Sequence, residues 1–152
     1  MRGSLVFVLV LLPLASCHDD AGRYVPGLGE IMALQQMRHA KLWFAGDASN
    51  WELAAYETDE LEEGFADAME FHPQHKSSPV PLTAAIPKFT AQPIAALREA
   101  IAAHDAAKFA GAFDGLTAGC NSCHGATQFA FNVVVRPRAN TFANQDFAAH
   151  GK

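Results

Sequence analysis

The sequence predicts an all-α fold of four helices followed by an extended C-terminal tail. Two observations carry this. Apolar residues recur at spacings of three and four through four stretches between Leu28 and about Gln128. Beyond Gln128 the pattern changes to Phe129-Ala130-Phe131-Asn132-Val133-Val134-Val135, a β-prone run closed by Arg136-Pro137-Arg138. With 152 residues the chain is long enough for one body with a real core and short for two.

The first helix is expected over about residues 28 to 45, because Leu28, Ile31, Met32, Gln35, His39, Leu42 and Trp43 share one face, with Gly46 as its stop. Ser49 to Glu52 has the S-x-x-E pattern of a capping box and should start the second helix. Its apolar face runs from Trp51 through Ala54, Thr58, Leu61 and Phe65 to Met69, while Glu57, Asp59, Glu60, Glu62 and Glu63 form a solvated acidic face. His72 to Lys88 holds Pro73, Pro79, Pro81 and Pro87 and reads as a long irregular crossover. His72 and His75 within it are weak metal candidates. The third helix should begin near Thr90, with Pro93 in its first turn. Asp105 then caps the fourth, whose stripe of Phe109, Phe113, Leu116, Cys120 and Cys123 ends beside His124. Residues 129 to 152 should lie over the helices, with Phe142 and Phe147 as packing points.

The N-terminus reads as a separate segment. Arg2 followed by the apolar run Leu5 to Ala15 has the form of a secretion signal over residues 1 to 16, too short to span a bilayer. Its end, Leu14-Ala15-Ser16-Cys17, is similar to the lipobox of bacterial lipoproteins, which implies cleavage before Cys17 and lipidation of that thiol. Residues 17 to 27 would then be a flexible tether and residues 28 to 152 the folded domain. Cleavage would leave 136 residues and lower the formal charge from −5 to −6. Such an acidic chain is a poor ligand for nucleic acid and suits a partner with a basic docking patch.

Chemistry concentrates in Cys120-Asn121-Ser122-Cys123-His124, a C-x-x-C-H of the form that attaches a c-type haem. Two thiols three positions apart on a helix can both reach the vinyl groups of one porphyrin, and the adjacent imidazole can take the iron. A zinc centre would need a second ligand pair, and a thioredoxin-like dithiol would need a βαβ pattern; neither is found around residue 120.

Four amphipathic helices with this motif late in the fourth resemble the four-helix-bundle cytochromes, cytochrome c′ and cytochrome b562. The resemblance covers about residues 28 to 128 and implies a four-helix up-down-up-down bundle holding haem c covalently through Cys120 and Cys123, with its iron on His124. Cytochrome b562 uses a Met early in the first helix as second axial ligand, whereas cytochrome c′ leaves the iron five-coordinate; Met32 occupies the comparable place. In an up-down-up-down bundle the first and fourth helices are antiparallel. His124 and Met32 then stand at one level, each roughly 6 Å from a helix end. His39 lies roughly 10 Å further along and is the weaker candidate. Water or an empty sixth position stays open. The tail of 28 residues after His124 departs from cytochrome c′. Arg136 or Arg138 within it could pair with a haem propionate.

The expected function is non-enzymatic: a monohaem cytochrome carrying electrons on the periplasmic side of a bacterial membrane, held there by lipid on Cys17. The alternative is a five-coordinate haem protein that binds nitric oxide or carbon monoxide. A peroxidase is disfavoured because no distal Arg and His pair can be placed. The sequence leaves the oligomeric state open, a dimer included.

Overall fold

The computed structural model describes residues 24–76 and 78–150. The expected signal, Cys17 and the first part of the tether lie outside them. Four helices make up most of the rest: α1 Leu28–Asp47, α2 Trp51–Phe71, α3 Leu82–Ala102 and α4 Ala106–Ala126. Each packs on its neighbours in sequence, and α4 closes the ring against α1, giving the four-helix up-down-up-down bundle. No strand occurs among the described residues, and no described helix is long and apolar enough to cross a membrane.

The corners explain how the bundle closes with such short turns. After α1, α3 and α4 the chain enters the left-handed region at Ser49, His104 and Gln128, with φ of 57°, 52° and 68°. At each corner two amide groups reach back to helix carbonyls: Asn50 to Ala45 and Ser49 to Gly46, Asp105 to Ala100 and His104 to Ile101, Phe129 to His124 and Gln128 to Gly125. This is the Schellman arrangement, made here without glycine. At the first two corners the closing residue also caps the next helix. Asn50 accepts from the Leu53 amide at 3.2 Å, and Asp105 accepts from the Lys108 amide at 3.0 Å.

The core is the set of inward stripes the periodicity implied. Leu42, Leu61, Leu97, Phe109, Phe113 and Leu116 are almost completely buried, each contributing about 1.5–3 kcal/mol. Phe142 and Phe147 pack as expected: Phe147 is buried, with its ring 5.5 Å from Phe44 and 6.1 Å from Phe142.

Several expectations need correction. Asn50, not Ser49, caps α2, because Ser49 is taken by the left-handed corner. Gly46 does not stop α1. It lies inside the helix, where a β-carbon would strike the Phe109 ring. Glu57 does not belong to the solvated face: it is 2% exposed, since residues 54, 57 and 61 share one side of a helix. Lys41 lies 3.7 Å from its carboxylate, and burial raises its pKa.

The largest correction is α3, which starts at Leu82 and not near Thr90, so the crossover shrinks to residues 72–81. Pro81 is the N-cap, and both Pro87 and Pro93 sit inside the helix. Pro93 cannot donate to the carbonyl of Phe89 four residues earlier. That carbonyl instead faces Gly119 of α4, so closely that a β-carbon on Gly119 would collide with it. The missing hydrogen bond of α3 thus becomes a close backbone approach to α4, next to Cys120.

Candidate haem-binding cleft

α1 and α4 meet less than the other neighbouring helices, and near the start of α1 and the end of α4 this seam opens into a cleft of about 370 Å³. α4 contributes Cys120, Cys123 and His124, and α1 contributes Met32. Leu82 and Ile86 of α3 and Phe129 of the tail add apolar walls. The four residues expected to matter thus line one cleft, and none of the described lining residues is Asp, Glu, Lys or Arg. That is the environment a flat apolar ring needs.

The thiols are held as neutral groups. Burial, and secondarily the neighbouring Cys123, pushes the Cys120 thiol up to about 12; burial also raises Cys123. A dithiol that exchanges disulfides is tuned the other way, toward thiolate. Nor do three His, Cys, Asp or Glu side chains converge as metal donors among the described residues.

His124 is set for ligation through one nitrogen. Its Nδ1 lies 2.6 Å from the carbonyl oxygen of Asn132. A carbonyl only accepts, so Nδ1 carries the proton and donates, which leaves Nε2 with the lone pair. This hydrogen bond exists because the corner at Gln128 sends the tail back along α4.

His39 has a different environment. It is 4% exposed, with Nε2 at 2.9 Å from Thr117 Oγ1 and its ring 4.4 Å from Phe113. It borders a small chamber of about 50 Å³ beside Met32 and His124, not the main cleft. The two loop histidines separate: His72 Nε2 is 2.8 Å from the Pro26 carbonyl, while His75 lines the cleft with its ring 5.4 Å from Phe129. His75 and Phe129 are site residues that helical periodicity could not locate, because both depend on how the chain reverses.

Arg136 is committed elsewhere. It pairs with both carboxylate oxygens of Asp114, at 2.9 and 2.5 Å, and reaches the Ala110 carbonyl at 3.2 Å. Its guanidinium lies 4.1 Å from the Trp43 ring centre. Asp114 precedes His124 by ten residues, roughly 15 Å along the helix, so Arg136 fastens the tail rather than guarding the cleft. Arg138 is exposed.

No family model, curated protein or solved structure matches this chain.

Proposed function

We propose that the chain is a monohaem c-type cytochrome, lipid-anchored at Cys17 on the periplasmic side of a bacterial membrane, that passes electrons to a partner protein with a basic docking patch. The observation that carries this reading is the wall formed by Cys120, Cys123 and His124, with His124 in the ligating tautomer, facing an uncharged cleft that Met32 also lines. Bound haem would supply one-electron iron chemistry. Cys120 and Cys123 would hold the ring through thioethers, and His124 would present Nε2 to the iron. Met32, on the cleft's α1 side, would offer its thioether sulfur as a second donor. Leu82, Ile86 and Phe129, which line the cleft, would exclude water from the bound group. The formal charge, −5 for the full chain and −6 once residues 1 to 16 are removed, favours encounter with a basic partner.

The small chamber beside Met32 favours one second reading. Its volume of about 50 Å³ suits a water or a diatomic gas, as a five-coordinate gas-binding protein would require.

The test is expression with cytochrome maturation machinery, followed by intact mass and optical spectra. A haem mass increment that survives denaturation is expected in the wild type, and Cys120→Ala with Cys123→Ala should abolish it. Absence of the increment overturns the reading. Carbon monoxide should leave the ferrous spectrum nearly unchanged if the iron is six-coordinate and shift it strongly if the gas-binding reading is right. Cys17→Ser should move the protein from the membrane to the soluble fraction; unchanged partition removes the lipid anchor alone.

A further inference from the structure

The residues between the two cysteines have no part in the reading above, and the tail enters it only through the Phe129 wall and the bond from His124 to Asn132. Asn121 stands on α4 between the thiols and makes two hydrogen bonds to one tail residue. Its Nδ2 donates to the Val134 carbonyl at 2.8 Å, and its Oδ1 accepts from the Val134 amide at 2.8 Å. A primary amide matches the N–H and C=O of one extended residue as a neighbouring strand would. The tail is thereby fixed in register.

That register matters two residues earlier. Phe129 donates its amide to the His124 carbonyl at 2.7 Å, and Asn132 donates its own to the Phe129 carbonyl at 2.8 Å. The Asn132 carbonyl then meets Nδ1 of His124 at 2.6 Å. Residues 129–134 form a strap tied down at both ends, and its middle contact is the imidazole. Beyond it, Arg136 holds the tail independently through Asp114.

We infer that Asn121 is a positioning residue: by clamping Val134 it holds the Asn132 carbonyl on His124 Nδ1, and so sets the orientation and donor strength of the imidazole toward a haem iron. The inference rests on the haem reading and deepens it. A backbone acceptor on Nδ1 makes the imidazole a stronger donor, which favours ferric iron. Losing the clamp leaves that contact dependent on a loosened segment. The main fold should survive its loss, because the corner at Gln128 and the Arg136 anchor are separate.

The experiment compares the wild type, Asn121→Ala, Asn121→Asp and Asn140→Ala as full chains matured with haem. Two quantities are read: amide hydrogen exchange at Val134, and the ferric-to-ferrous ratio at a fixed ambient potential. Asn121→Ala should speed Val134 exchange by about tenfold and shift the ratio toward ferrous by about tenfold. Asn121→Asp keeps the acceptor and loses the donor, so it should fall between. Asn140→Ala, an exposed tail position beyond the Arg136 anchor, should match the wild type in both. An unprotected Val134 amide in the wild type overturns the inference, as does faster exchange in Asn121→Ala with an unchanged ratio. A chain that retains no haem overturns the parent reading, and Val134 protection, which needs no cofactor, tells the two failures apart.

Discussion

His39 of α1 and Thr117 of α4 are joined by a hydrogen bond of 2.9 Å at the buried seam between the two helices. Thr117 donates its hydroxyl proton to the Phe113 carbonyl at 3.0 Å, so its oxygen is the acceptor and His39 Nε2–H the donor. Burial lowers its pKa to about 4 from 6.5, so the imidazole is neutral at pH 7.

The consequence is a stability that depends on pH. A base whose folded pKa is depressed binds its proton first in the unfolded chain, so its stabilising contribution is full above pH 6.5 and is lost as pH falls toward about 4. The loss is expected to be about 3 kcal/mol. Urea midpoints at pH 7.5 and 4.5 should show a steeper fall for the wild type than for His39→Gln, which cannot titrate. Equal slopes in the two proteins would show that His39 does not carry this linkage.

The contact between α3 and α4 gives a second expectation. Gly119→Ala would place a β-carbon against the Phe89 carbonyl, and backbone on both sides leaves little room to yield. A cost of about 2–3 kcal/mol is expected. Gly111→Ala on the same helix meets nothing within 4 Å and serves as control; there Ala should stabilise by a few tenths up to about 1 kcal/mol. Denaturant unfolding of both variants measures the contrast, and comparable stabilities would mean the helices separate without cost.

The difference between these two glycines illustrates what the sequence could tell. Neither requires a left-handed backbone, and no described glycine has positive φ; one glycine is needed only because a carbonyl from another helix arrives there. The same limit affected α3. Pro87 and Pro93 locally argue against a helix, but the buried face of Leu82, Ile86, Thr90, Ile94 and Leu97 outweighs two missing hydrogen bonds. Gly46 reads as the stop of α1 in the sequence, while Ser49 makes that corner. Asp105 was legible because a cap acts within three residues. Cys120, Cys123 and His124 were legible for the same reason, being adjacent in sequence. Asn121 was not, since its partner Val134 comes near only after the chain reverses.

Met32 provides the last expectation, because it alone tests the wall opposite the motif. Its side chain is half-buried and borders both the main cleft and the small chamber, with His124 on each boundary. A thioether in the sixth position favours ferrous iron and keeps ferric iron low-spin, relative to water in the same place. In the haem-loaded protein, Met32→Ala should therefore lower the reduction potential, convert the ferric spectrum to high-spin and let carbon monoxide bind the ferrous form. Met37 serves as the control. It is 36% exposed on the same helix and lines neither cavity, so Met37→Ala should change none of the three. If Met32→Ala also leaves the spectra unchanged, Met32 is a packing residue. Should the wild-type ferric iron then prove high-spin, the five-coordinate gas-binding reading replaces the electron carrier.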